Sequence, residues 1–128
     1  MGTAVTHGIR ITARAIFEPS HSDIALGRYI FSYRITISNR GNESVQLLRR
    51  HRTISDSLAA RREVEGPGVV GETPVLEPGA EFSYTSACDL RSGLGRMQGT
   101  YLMRRLRDGS EFRVDIPGMQ LTHPIASN

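Results

Sequence analysis

Apolar and polar residues alternate along most of the chain, and this period of two is typical of half-buried β-strands. The clearest run lies between Tyr29 and Ile37, where every odd-numbered residue is tyrosine, phenylalanine or isoleucine. Arg34, Thr36 and Ser38 lie on the opposite face, and only Ile30 interrupts the alternation. Five large β-forming side chains on one side indicate the centre of a hydrophobic core.

The same pattern, separated by turn residues, predicts the remaining strands at 9–17, 45–54, a short edge strand ending near Val64, and 81–87, 97–106 and 112–116. Turns are predicted at 39–42, at Pro78-Gly79 as a type II turn, at 92–95, and at 107–110 as a type I′ hairpin. Pro117-Gly118 is predicted to end the last strand. The sequence therefore predicts an all-β fold, a two-sheet immunoglobulin/fibronectin-III-like sandwich of about seven strands. We expect a single domain over 1–128 with frayed termini at 1–5 and 122–128.

A glycine- and proline-rich stretch separates the two halves of the pattern, and its glycines Gly66, Gly68 and Gly71 have the spacing G-x-G-x-x-G. A dinucleotide-binding fold needs that motif between a buried parallel strand and a helix. Pro67 and Pro74 bracket the run and no helical pattern follows, so this reading is excluded. Two interpretations stay open: a loop whose backbone amides bind an anion such as phosphate or pyrophosphate, and a structural crossover between sheets, which we favour.

Arginine supplies all sixteen basic residues, and lysine is absent, for a net charge of +3. Each positive charge is therefore a planar fork suited to carboxylate or phosphate. The candidate basic patch comprises Arg50 and Arg52 on one face of their strand and Arg61 and Arg62 on its predicted neighbour. The alternative, which we favour, is a solvated face on which these arginines pair with Glu63 and Glu65. With thirteen interspersed acids and no nucleic-acid-binding motif, we expect no nucleic-acid partner.

Residues for catalysis and metal binding are sparse. Cys88 is the only cysteine, which excludes an intramolecular disulfide and favours a cytoplasmic location. The four histidines are scattered without ligand-pair spacing, so we expect no metal site and no cofactor. Neither Cys88 nor Ser86 has the surroundings of a catalytic nucleophile, and we assign no catalytic residue. No apolar run is long enough to span a bilayer, and we expect neither a signal peptide nor a membrane partner.

Several ordered motifs resemble the ApaG family across nearly the whole chain. They are Tyr29-x-Phe31-x-Tyr33-x-Ile35-x-Ile37-x-Asn39, Gln46-Leu47-Leu48-x-Arg50-His51, Val64-x-Gly66-x-Gly68-Val69-Val70-Gly71-x-x-Pro74-Val75-Leu76-x-Pro78-Gly79, Tyr84-Thr85-Ser86, Met97-x-Gly99-x-Tyr101 and Phe112-x-Val114-x-Ile116-Pro117. The resemblance implies a small bacterial cytoplasmic protein with a fibronectin-type-III-like sandwich. It also implies an association with magnesium and cobalt homeostasis and with dinucleoside-polyphosphate metabolism, with no established catalytic residues. The family pattern usually has an aromatic residue, commonly Trp, where this chain has Arg52, so we expect that position to border solvent.

From the residues and the resemblance together we expect a non-enzymatic binding or adaptor module. Its partner is expected to be a protein that the sequence does not identify, and the molecule is expected to be a monomer or weak homodimer. The edge segment Arg61–Val64 is the candidate for pairing with a second copy or a partner strand. The alternative is a nucleotide- or pyrophosphate-binding protein that uses Gly66–Gly71 and the nearby arginines, with a phosphohydrolase-related activity as its enzymatic form.

Overall fold

The computed structural model describes residues 2–124, which form nine β-strands and two short 3₁₀ helices. The helices are Pro19–His21 and Ile24–Leu26, both between the second and third strands. The strands are β1 (Gly2–Thr6), β2 (Ile9–Phe17), β3 (Tyr29–Asn39), β4 (Val45–Asp56), β5 (Ala59–Pro67), β6 (Val75–Leu76), β7 (Glu81–Leu90), β8 (Leu94–Arg105) and β9 (Glu111–Thr122).

Two antiparallel sheets face each other, which confirms the predicted all-β sandwich. One sheet has the strand order β1-β2-β3-β7, and the other has the order β5-β4-β8-β9 with β6 pairing to β4. On one side of the sandwich β9 packs against β1 and β2. The edge strands β5 and β7 therefore lie on the opposite side, where a cleft separates the two sheets. The finer likeness to immunoglobulin or fibronectin domains stays a prediction.

The core lies where β3 faces the second sheet, as the alternation predicts. Phe31, Tyr33, Ile35 and Ile37 are buried, and Tyr29 is half-buried at the end of the strand. The facing sheet contributes side chains from β4, β8 and β9, among them the fully buried Leu47, Met97, Tyr101, Met103 and Leu121. Packing between sheets, which buries one face of each strand, thus selects the register that the sequence pattern indicates.

Local turn chemistry explains two of the connections. Pro78-Gly79 forms the predicted type II turn, since the Ala80 amide donates to the Glu77 carbonyl at 2.9 Å and Gly79 has φ +86°. The hairpin between β8 and β9 is also confirmed, but its type is not the predicted I′. A type I′ turn needs positive φ at both central residues, and in this loop only Gly109, at +72°, has it.

Both ends of the chain are more ordered than expected. Gly2–Thr6 is strand β1 rather than a frayed terminus, and it pairs with β2 through a two-residue turn at His7 and Gly8. His7 has φ +49° and Gly8 has φ +79°, as a type I′ hairpin requires. Of the expected C-terminal frayed segment, Thr122 closes β9 and His123 is buried, while the expectations for residue 1 and for 125–128 lie outside the described residues.

Several strand boundaries also differ from the sequence prediction, since β4 ends at Asp56 and β7 at Leu90, and three further differences concern β9, β8 and β5. Strand β9 continues past Pro117-Gly118 to Thr122, because those two residues lie at a register shift opposite the stretch from Met97 to Gly99. A bulge of this kind accommodates a proline, which has no amide to donate to the ladder. Strand β8 begins at Leu94, inside the predicted 92–95 loop, and the edge strand β5 runs through Pro67.

Candidate functional site

The open side of the sandwich contains a cleft of about 130 Å³ between the two sheets. Strand β4 forms one wall, strands β3 and β7 form the other, and the glycine-rich loop after β5 lies across one end. The residues that line it are Tyr33, Arg50, Arg52, Val69, Val70, Tyr84 and Ser86. It therefore joins sequence motifs that are distant along the chain into one concave surface.

Strand alternation divides the basic run of β4 between two faces. Arg49 and His51 point to the outer face, where Arg49 lies 3.9 Å from Glu65 and His51 lies 3.6 Å from Glu63. Arg50 and Arg52 point into the cleft. The predicted pairing with the two glutamates therefore applies to the outer face, whereas the ion pairs found among residues 2–124 include none for Arg50 or Arg52.

The other two arginines of the predicted patch are separated from this pair. Arg62 lies opposite Ile54 in the β4–β5 ladder, and its guanidinium approaches Asp89 of β7 at 3.2 Å, so its charge is partnered. Its neighbour Arg61 is exposed on the edge strand, on the opposite face of β5. The structure therefore brings Arg50 and Arg52 together, places Arg62 at the far end of the cleft, and leaves Arg61 outside it.

The glycine loop is held in shape by backbone hydrogen bonds, and two of its carbonyls orient Arg50. The Gly68 amide donates to the Leu48 carbonyl at 2.8 Å, and the Val69 and Glu72 backbones bond each other reciprocally at 2.8 and 2.9 Å. The amides of Gly68, Val69 and Glu72 are thus engaged within the fold, and an anion cradle at Gly66, Gly68 and Gly71 stays a prediction to which the Gly68 amide is not free to contribute. The loop instead offers carbonyls: Arg50 donates to those of Pro67 and Gly68 at 3.0 and 2.9 Å.

Close contacts require one of these glycines. A Cβ on Gly66 would lie 3.5 Å from the guanidinium of Arg50, its cross-strand partner, which is an ordinary van der Waals contact. Gly68 has φ +60°, and a Cβ there would lie 2.2 Å from the Glu72 carbonyl oxygen. Gly68 is therefore explained by turning and packing.

Buried polar atoms face the cleft without partners. Tyr33 is 1% exposed, yet its hydroxyl has no hydrogen bond within residues 2–124, and the same holds for the buried Nε of Arg52. The Arg52 guanidinium lies over the Tyr33 ring, 5.4 Å from its centroid. Buried polar groups are nearly always satisfied in proteins. An orphaned hydroxyl beside an orphaned guanidinium nitrogen therefore indicates a site for an acceptor ligand.

Burial raises the pKa of two hydrogen-bonded tyrosines, one of which lines the cleft. Desolvation raises the pKa of Tyr84, although the hydrogen bond with Tyr101 and the charges of Arg52 and Arg50 oppose the shift. Desolvation, the main cause, also raises the pKa of Tyr101 well above its ordinary value. The two hydroxyls bond each other, and both remain neutral donors at physiological pH. Neutral phenols, cationic arginines and the hydroxyl of Ser86 form a donor-rich site suited to an anion.

The sequence leads us to expect neither a catalytic nucleophile nor a metal site, and the surroundings of Cys88 and of the possible metal ligands bear on both expectations. The Cys88 thiol is buried, and burial raises its pKa above the ordinary value, against the opposing charge of Arg62. His51 lies on the outer face, so it does not approach this thiol. In the stretch 2–124 no three His, Cys, Asp or Glu side chains gather closely enough to hold a metal ion. Nor does any helix in that stretch have the length and apolarity to cross a membrane.

Sequence reasoning named Arg50 and Arg52 but missed Tyr33, Tyr84 and Ser86. The tyrosines were assigned to the core from their strand positions, and that assignment is correct as far as burial goes. The feature that could have indicated a binding role for these tyrosines is the hydroxyl group, because a buried tyrosine normally needs a hydrogen-bond partner. Arg52 is expected to border solvent, and it is half-buried at the wall of the cleft, with its guanidinium over the Tyr33 ring.

Comparison with known proteins agrees with this architecture. The family model of the ApaG domain matches residues 19–105. Protein ApaG of Anaeromyxobacter dehalogenans is 45% identical over 128 residues, covering all of both chains, and Protein ApaG of Brucella suis is 42% identical, covering 97% of this chain and 95% of its own. A Bordetella pertussis protein solved by crystallography under the name ApaA superposes with a TM-score of 0.87 at 36% identity, covering 91% of this chain and 94% of its own. This chain belongs to the ApaG family.

Proposed function

We propose that this protein is a non-enzymatic cytoplasmic binding module whose recognition site is the cleft between β4 and β7, and that the cleft binds an anionic group. One observation supports this above the others: the Tyr33 hydroxyl and the Arg52 Nε are both buried without a partner, and the Arg52 guanidinium lies over the Tyr33 ring. An anion between them would accept from both and from the neutral phenol of Tyr84. Leaving such donors unmet costs about 1–3 kcal/mol each, which a bound acceptor restores.

A phosphoryl group is the anion that the donors suit best. Guanidinium forks match the tetrahedral oxygens of phosphate, and the cleft volume of about 130 Å³ leaves room for one such group. A larger ligand, such as pyrophosphate or a dinucleoside polyphosphate, would extend past Val70, which is 54% exposed at the mouth of the cleft. In this proposal the glycine loop positions Arg50 through its carbonyls and contributes no amide cradle.

The association with magnesium and cobalt homeostasis that the resemblance implies would be an indirect effect of this site. The described residues offer no cluster that could hold a metal ion. We therefore place any effect on divalent cations downstream of the bound phosphate ligand, either through the metal that such a ligand carries or through a protein partner.

A titration of the isotope-labelled protein with inorganic phosphate, pyrophosphate and a dinucleoside polyphosphate tests the proposal. Saturable shifts are expected at the Arg52 Nε–H and at the amides of Ser86 and Val70. Arg52→Gln is expected to weaken binding about 10- to 100-fold, since hydrogen bonds to charged groups are worth about 1.5–3 kcal/mol. Arg49→Gln is the matched control, because it removes the same charge from the same strand on the opposite face, and it is expected to leave affinity unchanged.

Three results would overturn parts of this proposal. Equal losses in Arg52→Gln and Arg49→Gln would indicate attraction by net charge without a site. Shifts confined to the amides of Gly68 and Gly71 would return the anion to the glycine loop. Release of phosphate from pyrophosphate or from the dinucleoside polyphosphate, followed by phosphorus NMR on the same samples, would contradict the non-enzymatic assignment and favour the phosphohydrolase alternative.

A further inference from the structure

The free edge of β7 borders the anion cleft and presents backbone groups to it. Within residues 2–124, strand β7 pairs with β3 alone and so has one open side. Asp89 shows which residues face that side, since its carbonyl accepts from Arg62 across the cleft. In an antiparallel strand the outward-facing backbone groups belong to every second residue. Ser83, Thr85 and Ala87 therefore direct their amides and carbonyls to the same open edge.

This edge lacks the features that normally block strand pairing. Edge strands are commonly protected by charged side chains, proline or bulges, and β5, on the far side of the cleft, has Arg61, Arg62, Glu63 and Glu65 in succession. Between Glu81 and Asp89, β7 has only small or aromatic uncharged residues. Its ladder with β3 is regular over ten consecutive pairs, without a bulge. A partner strand would thus find a flat, uncharged template.

A strand added to β7 would direct alternate side chains into the cleft. The inward residues of β7 itself, Tyr84 and Ser86, line the cleft beside Arg52. Inward side chains of the next strand would continue that row and face Arg50 and Arg52, neither of which has an acidic partner within residues 2–124. Charge complementarity therefore calls for an acidic side chain at one inward position of the added strand.

We propose that the partner of this module is a protein segment that pairs as an extra strand with the free edge of β7 and inserts an acidic side chain between Arg50 and Arg52. This inference rests on the proposed anion site and adds a carboxylate presented by a peptide to the anionic groups that the site accepts. Hydrogen bonds to the outward-facing main chain of Ser83, Thr85 and Ala87 supply affinity, and the carboxylate in the arginine-lined cleft supplies specificity.

A second copy of the chain fits this position less well. Two β7 strands paired edge to edge would present Phe82, Tyr84, Ser86 and Cys88 from each copy on the cleft side. None of these is acidic, so the arginines would remain without a counter-charge. The partner is therefore expected to be a different protein.

Peptide titration tests this inference. The probe is a capped seven-residue peptide of alternating threonine and valine with one central glutamate, and its twin has glutamine in that place. We expect the glutamate peptide to bind at least tenfold more tightly and to slow hydrogen exchange at the amides of Ser83, Thr85 and Ala87. Thr85→Pro removes an outward donor and is expected to abolish peptide binding. Thr85→Ala, which removes only the exposed side chain, is expected to retain it.

Inorganic phosphate separates this inference from the proposed function. Thr85→Pro is expected to retain phosphate binding, which also reports that the variant folds, whereas Arg52→Gln is expected to lose both phosphate and peptide. A glutamate peptide methylated on the backbone nitrogens that face β7 repeats the test without altering the protein, and it is expected not to bind. Equal binding of the glutamate and glutamine peptides, full binding of the methylated peptide, or edge protection that arises from self-association would overturn the inference.

Discussion

The two left-handed glycines of the loop after β5 allow backbone strain to be separated from steric conflict. Gly68 has φ +60° and Gly71 has φ +81°, so alanine is strained at both positions. A Cβ on Gly68 would also lie 2.2 Å from the Glu72 carbonyl oxygen and 2.9 Å from its carbon, whereas a Cβ on Gly71 would meet nothing within 4 Å. Both atoms near Gly68 belong to the backbone, so the loop itself must move.

The expected costs follow from these two contributions. The left-handed conformation costs an alanine about 1–2 kcal/mol, and this is the whole expected effect of Gly71→Ala. Gly68→Ala adds an overpacking cost of about 1–3 kcal/mol, for a total of about 2–5 kcal/mol. The displaced loop also includes the Pro67 and Gly68 carbonyls that accept from Arg50, so Gly68→Ala is further expected to shift the Arg50 side-chain resonances.

Urea denaturation of the two variants beside the parent measures both costs, with an unchanged dependence on denaturant as the sign that the unfolded state is unaltered. The reasoning is refuted if Gly68→Ala and Gly71→Ala destabilise equally, since the difference between them rests on the contact with Glu72 alone. It is also refuted if Gly68→Ala is harmless, because the positive φ then carries no cost.

Three further outcomes are expected. Phe31→Ala should lower the free energy of unfolding by about 3–5 kcal/mol through lost burial and a cavity, while Ile16→Ala, at a position 52% exposed, should change it little; a loss under about 1 kcal/mol for the buried position would contradict the assigned face. For Asp56, burial opposes ionisation, but hydrogen bonds from two backbone amides and a serine hydroxyl outweigh it and lower the pKa from 3.8. The ionised Asp56 carboxylate therefore stabilises the fold fully above pH 3.8, and this stabilisation is lost as pH falls through the lower folded-state pKa. Asp56→Asn is expected to flatten the acid limb of a plot of unfolding free energy against pH. An unchanged acid limb would disprove the assignment. Pairing of Arg61–Val64 with a second copy predicts a dimer in light scattering at high concentration, and a strict monomer would exclude it.

Much of the fold follows from the sequence because its signals are local. A period of two places Phe31, Tyr33, Ile35 and Ile37 on one face whatever else the chain does. Pro78-Gly79 specifies its turn through the conformational preferences of two adjacent residues. In the same way, alternation along β4 separates Arg50 and Arg52 from Arg49 before any packing is known. Boundaries are less well predicted at Gly2–Thr6, which pairs with β2 across the His7-Gly8 turn, and at Pro117, which a register shift accommodates within β9.

The site depended on contacts that no local pattern encodes. The strand pattern already places Arg52 in a candidate basic patch, but only the packing of β3 and β7 brings Tyr33 and Tyr84 to the same cleft. The glycine spacing suggests amide donors, yet hydrogen bonds to Leu48 and within the loop engage the amides of Gly68 and Val69, and the loop presents two carbonyls to Arg50. Side-chain periodicity determines which face a residue occupies. Which faces meet, and which polar atoms lack a partner there, is decided when the two sheets pack, because these contacts join residues far apart in the chain.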